Sequence, residues 1–119
     1  MRPDKTIGDA AMFVSSDPAQ LLNVVLDLVS AAAEHELPRL RVGIASGWAV
    51  SHASDWYGSP VNIASRITHA ARPGDVVVAE SVRQRVGGAE DYEWSSLGGR
   101  TLRGVGLPVN LFAIRRRPL

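Results

Sequence analysis

Asp55-Trp56-Tyr57-Gly58-Ser59-Pro60-Val61-Asn62-Ile63-Ala64-Ser65-Arg66 reads as a strand end, a Gly-Ser-Pro turn and the start of a helix. Ser59 is suited to cap that helix, and Pro60 fits its first turn, where a missing N–H costs nothing. Asn62 and Arg66 stand four residues apart, so both side chains leave the same helical face. Ile63, Ile67 and Ala70 form an apolar stripe on another face, one that has to be buried against something. An amide and a guanidinium placed together, one turn past the positive end of a helix, suit an oxygen-rich anion. Spacing alone leaves a plainer reading open, that of a solvated amphipathic helix with an exposed arginine.

Outward from this joint, the composition sets bounds. At 119 residues the chain is one domain, large enough for a hydrophobic core. Its 45% hydrophobic and 21% charged content is ordinary for a soluble globular chain. A net charge of +1 gives no reason to expect nucleic acid or an anionic membrane as partner. With no cysteine, disulfides, thiol catalysis and cysteine metal sites are excluded. No apolar run approaches the ~20 residues that span a bilayer, and no signal peptide precedes Lys5, so a cytoplasmic chain without membrane insertion is expected.

Residues 1–16 read as two short strands around Gly8-Asp9, which leaves Asp9 at a hairpin tip where its carboxylate can face a ligand. Lys5 lies on the first of these strands; an exposed strand lysine and a plain turn aspartate are the simpler readings of the two residues. Asp17-Pro18 predicts the start of the longest helix, apolar over most of its circumference and packed on a sheet, with Pro38 ending the segment. Leu40 to Ala45 is a strand pattern, and Gly47 to Val50 a return strand or bent extension, with His52 in the turn that follows. Gly43 and Gly47 inside strand patterns imply bulges or close backbone approach.

Arg72-Pro73-Gly74-Asp75 reads as a turn, Val76 to Ala79 as a buried strand, and Glu80 to Val86 as a short helix ended by Gly87-Gly88. Tyr92-Glu93-Trp94 opens a further strand and Val109 to Arg115 forms the last. Arg103 lies in the turn Leu102-Arg103-Gly104-Val105-Gly106 between them, and Arg115-Arg116-Arg117 reads as a solvated basic tail.

Two stretches resemble a known family. The opening string is similar to the D-x-W-G-x-x-V-N-x-A-S-R signature of class III nucleotide cyclases, with Tyr57 in place of the tryptophan. Lys5-Thr6-Ile7-Gly8-Asp9-Ala10-Ala11-Met12 resembles that family's K-x-x-G-D-x-x-M, and Arg41-Val42-Gly43-Ile44 together with Gly47 resembles its R-V-G-I-x-x-G strand. The likeness runs over nearly the whole chain. It implies an α+β, ferredoxin-like sandwich of a mostly antiparallel sheet with helices packed on it. Residues 1–119 would then be a partial cyclase catalytic domain.

The resemblance further implies adenylate cyclase chemistry, in which ATP is converted to 3′,5′-cyclic AMP and pyrophosphate at a dimer interface for signal transduction. In the family two Mg2+ or Mn2+ ions are held by two aspartates, and the site draws on both subunits. Asp9 matches the second metal aspartate. Lys5 and Asp55 match the pair that selects adenine, an ammonium donating to a ring nitrogen and a carboxylate accepting from the exocyclic amine. Asn62 matches the residue that orients the ribose, and Arg66 the one that stabilises the α-phosphoryl group in the transition state. Arg103 matches a basic residue over the triphosphate, a hairpin-loop arginine being the plain alternative. Val105 occupies a place where some members carry a second basic residue.

The family's F-x-D motif, source of the first metal aspartate, appears nowhere in the sequence, and the four residues ahead of Lys5 leave no room for it. The expectation is therefore a domain lacking the first strand and first two helices, with exposed apolar surface. Such a chain would be weak or inactive alone, as a remnant or as the complementing half-site partner of a complete cyclase.

Overall fold

The computed structural model describes the backbone of residues 3–7, 10–13, 15–47, 50–52, 55–57, 59–87 and 91–117, and the side chains of 15–47, 60–87 and 91–117. Strands β1 (Pro3–Ile7) and β2 (Ala10–Phe13) pair antiparallel, as the sequence predicts. The tip of that hairpin, Gly8-Asp9, lies outside the described residues. In order there follow α1 (Pro18–Glu34), β3 (Val42–Ile44), β4 (Val50–His52), β5 (Asp55–Tyr57), α2 (Ser59–Ala70), β6 (Val76–Ala79), α3 (Glu80–Val86), β7 (Tyr92–Arg100) and β8 (Val109–Arg116).

Helix α1 begins as its sequence dictates. Asp17 Oδ1 accepts from the Gln20 backbone N–H at 3.1 Å, and Pro18 takes the first helical position. Its end differs from expectation, because the helix stops at Glu34, ahead of Pro38. Leu37 N–H reaches back to the Ala32 carbonyl at 2.9 Å and Glu36 N–H to that of Ala33 at 3.3 Å, the double bond of a left-handed helix stop. Glu36 supplies the left-handed residue, with φ of 56°. A side chain is strained there where glycine is not, so Glu36→Gly is expected to stabilise the chain by roughly 0.5–1 kcal/mol. A rise of about 2–5 °C in the thermal midpoint would register it.

Four strands form the main sheet in the order β3-β6-β8-β7, with β3 parallel to β6 and the other pairs antiparallel. The hairpins β1-β2 and β4-β5 stand as separate two-stranded sheets. All four residues of β6 are buried, because the sheet is covered on both faces. Val76 and Val78 point into one cluster with Leu22 and Leu26 of α1, Ile44 of β3 and Val82 of α3. Val77 and Ala79 point the other way, into a cluster with Ile67 and Ala71 at α2, Leu102 and Leu111. Hence β6 reads as an unbroken apolar run. Burial of a side chain such as Ile67 or Val78, both 0% exposed, contributes about 1.5–3 kcal/mol.

Three further expectations are corrected. His52 is the last residue of β4, paired with Asp55, and sits in a strand where a turn was expected. Ala70 is exposed; the apolar stripe of α2 closes instead on Ala71, one residue beyond the helix. The run Arg115-Arg116-Arg117 is exposed, as a solvated stretch should be, and Arg115 lies in the last strand as expected. Arg116, however, belongs to β8 as well and is not part of a tail. Arg115 pairs with Glu93 across the sheet at 3.1 Å, while Arg116 pairs with Asp27 of α1 at 2.7 Å and donates to the Asn23 carbonyl at 2.9 Å. Alternation along a strand sends neighbouring arginines in opposite directions, which a charge run at a chain end conceals.

Tyr92 completes this fastening of α1, donating from its hydroxyl to Asn23 Oδ1 at 2.7 Å. Burial pushes the Tyr92 hydroxyl above its ordinary value of 10.0, Asp91 adding to the shift and Arg116 opposing it. The unfolded chain therefore gives up this proton first as pH rises. Stability that depends on the protonated hydroxyl is complete below about pH 10 and is lost as pH climbs through the raised folded value. Denaturant titrations at about pH 9 and about pH 11 are expected to show that fall, and Tyr92→Phe should reduce it while costing about 1 kcal/mol at neutral pH.

Candidate functional site

The site begins where β3 meets α2. Gly43, in the middle of β3, lies so close under α2 that an added Cβ would stand 2.5 Å from Thr68 N and 2.6 Å from the Ala64 carbonyl oxygen. This is the close backbone approach that a glycine in a strand pattern implies. The helix can therefore settle directly on the strand, with Ile67 fully buried beneath it. Thr68 keeps its hydroxyl satisfied by donating to the Ala64 carbonyl at 2.8 Å. At the first turn, Pro60 rests against Gly47, whose added Cβ would come 2.8 Å from Pro60 Cγ.

Seating α2 this way decides which side chains face outward. Asn62 and Arg66 both stand exposed on the helix, one turn apart on a shared face. Asn62 lies in the first turn, near the positive end of the helix, and no acidic residue occupies that turn. An anion approaching there would meet an amide, a guanidinium and the helix terminus together. Ser59, expected as the cap, is counted as the first helical residue, a shift of one position; Gly58 lies outside the described residues.

Arg103 is exposed in a turn closed by Val105 N–H to the Leu102 carbonyl at 3.1 Å, with Gly104 at a φ of 81°. A glycine at the third position of such a turn takes a conformation that strains other residues. Leu102 is buried in the same cluster as Ile67, and Val105 packs against it, so this turn lies on the same side of the sheet as α2. Lys5 is on β1 with its backbone opposite Met12, and Asp55 begins β5, the strand that leads into α2. The side chains of Lys5 and Asp55, and the whole of Asp9, lie outside the described residues. Of the residues singled out from the sequence, the structure thus brings Asn62 and Arg66 together and sets Arg103 on the same side of the sheet.

Among the described residues no three His, Asp or Glu side chains gather into a group that could hold a metal ion. No described helix is long and apolar enough to cross a membrane. Gly43 and Gly47 were foreshadowed by their places in strand patterns, but Ser81 was not. Its hydroxyl, on α3, accepts from the Ser46 backbone N–H at 3.2 Å. A serine in a short amphipathic helix carries no signal of such a role.

Known proteins are similar to this chain in sequence and fold. The family model of the adenylate and guanylate cyclase catalytic domain matches residues 4–115. A pH-sensitive adenylate cyclase of Mycobacterium tuberculosis is 55% identical over 116 residues, which make up 94% of this chain and 29% of that protein. The chain thus spans under a third of that relative's length. Among solved structures, an adenylate/guanylate cyclase/hydrolase from Silicibacter pomeroyi superposes with a TM-score of 0.87 at 22% identity, covering 96% of this chain and 72% of that one. The catalytic core of a rhodopsin-guanylyl cyclase with converted specificity, in complex with ATPalphaS, superposes with a TM-score of 0.79 at 23% identity, covering 97% and 71%. These two likenesses speak for the fold.

Proposed function

We propose, from the premise that this chain belongs to the adenylate and guanylate cyclase catalytic domain family, that it supplies the base-selecting and transition-state half of an adenylate cyclase site. The observation that carries the reading is the shared exposed face of Asn62 and Arg66 on a helix locked to the sheet at Gly43. In this reading Asn62 holds the ribose so that its 3′ oxygen lines up with the α-phosphorus. Arg66 donates to the α-phosphoryl oxygens as negative charge builds on them, where a fixed guanidinium acts most strongly. Arg103, on the same side of the sheet, meets the outer phosphates. Lys5 donates to an adenine ring nitrogen and Asp55 accepts from the exocyclic amine. Guanine offers a carbonyl where adenine offers that amine, so this pair favours ATP.

In the family two divalent ions, Mg2+ or Mn2+, activate the attacking oxygen. In this chain only Asp9 matches one of their aspartates, so in the proposed site a complete partner subunit would supply both metal aspartates while this chain supplies Lys5, Asp55, Asn62 and Arg66. Cyclic AMP formation from ATP with Mn2+ is accordingly expected to be slight or absent for the chain alone. It is expected to appear on mixing with a complete cyclase whose own counterpart of Arg66 has been replaced by alanine. A mixture that stays inactive would exclude the complementing role, and brisk turnover by the isolated chain, lost on Asp9→Ala, would require a metal site assembled in another way. Base choice has its own check. Lys5→Glu combined with Asp55→Cys in the mixture is expected to abolish the preference for ATP over GTP, and an unchanged preference would remove these two residues from the base pocket.

A further inference from the structure

We infer that Ser81 is a positioning residue for the nucleotide face of α2, an inference that rests on the reading of Asn62 and Arg66 just given. Ser81 is on α3, whose Val82 is buried in the cluster formed with α1 on the face of the sheet opposite α2. Its half-buried hydroxyl oxygen nevertheless reaches the loop that leaves β3, accepting from the Ser46 backbone N–H at 3.2 Å. The residue after Ser46 is Gly47, which is packed so tightly on the Pro60 ring that no Cβ would fit. A continuous line of contact thus runs from Ser81 through Ser46 and Gly47 to Pro60, two residues before Asn62.

The hydrogen bond fixes the peptide plane at Ser46, and that plane determines where the Gly47 backbone lies. Gly47 in turn forms the floor under the first turn of α2. Gly43 grips the same helix at Ala64 and Thr68, beyond Asn62, so the two grips bracket the residues proposed to touch the nucleotide. Alanine at position 81 would leave a half-buried N–H without its partner and free the loop to shift, while threonine would keep the accepting oxygen.

Two readouts test this in the full 119-residue chain. In 15N-resolved NMR spectra, Ser81→Ala is expected to move the Gly47 amide and the Asn62 side-chain amide, while Ser81→Thr leaves them near their original positions. Gln84→Ala, exposed on the same helix, serves as the control that moves neither. In the mixed cyclase assay, Ser81→Ala is expected to lower kcat about tenfold or more with KM for ATP little changed, as a displacement of reacting groups by a fraction of an ångström does. Ser81→Thr should restore it. Unmoved Asn62 resonances in a folded Ser81→Ala chain would overturn the inference. So would a fall in kcat that merely tracks the folded fraction, or one that threonine fails to rescue. Should the unmutated mixture make no cyclic AMP, the cyclase reading fails by itself, and the spectra still decide whether Ser81 sets the position of Asn62.

Discussion

Gly43→Ala is expected to destabilise the chain by about 1–3 kcal/mol and to lower cyclic AMP formation in the mixed assay by roughly a hundredfold. The new methyl would stand 2.5 Å from Thr68 N and 2.6 Å from the Ala64 carbonyl oxygen, both backbone atoms that no rotamer change can move aside. Strand β3 cannot yield easily, because Val42, Gly43 and Ile44 are paired with Val76, Val77 and Val78 of β6 and Ile44 is buried in the core. The helix must therefore lift by about 1 Å to reach ordinary contact distance, carrying Asn62 and Arg66 with it. A thermal midpoint lowered by about 4–12 °C would register the first effect, and the assay the second. A Gly43→Ala chain that melts and turns over like the original would show that α2 does not depend on this contact for its place.

Arg66→Ala is expected to leave the thermal midpoint within about 2 °C of the original, since its side chain is exposed and fills no core position. Turnover in the mixed assay is expected to fall by about 10²–10³-fold, the scale on which removal of one preorganised charge-stabilising donor acts. Most of that loss should appear in kcat, because the interaction strengthens as charge develops on the α-phosphoryl group. Arg66→Lys should recover only part of it, since an ammonium lacks the planar two-pronged donor geometry of the guanidinium. Undiminished turnover by the Arg66→Ala chain would return Arg66 to the plainer reading of a solvated surface arginine.

Much of the fold was legible because local chemistry and packing agree. Asp17 caps α1 with the bond its position implies, and the alternation hidden in Val76-Val77-Val78-Ala79 resolves into two apolar clusters on opposite faces of one sheet. What escaped was set either by contacts between distant segments or by where a helix ends. Arg116 looked like part of a charged tail because Asp27 and Asn23, which engage it, lie on α1, far away in sequence. The end of α1 was assigned to Pro38 on proline's known effect, whereas Glu36 had already turned the backbone into the left-handed region. Ala71 took the buried place expected for Ala70 because the stripe runs past the helix terminus, a boundary that periodicity does not fix.

The candidate site divides in the same way. The shared face of Asn62 and Arg66 follows from spacing along a helix and is what the structure displays. The grip on that helix by Gly43, Gly47 and Ser81 comes from separate segments and was only half foreshadowed, by the two glycines. Roles for Lys5, Asp55, Asp9 and Arg103 rest on their match to the family's motifs.

The most direct measurement is a crystal structure of this chain paired with a complete cyclase subunit and an unreactive ATP analogue. The account predicts the analogue's ribose against Asn62, its α-phosphate against Arg66, and its adenine edge between Lys5 and Asp55. Those four side chains found on separate surfaces, none of them within reach of the nucleotide, would contradict it.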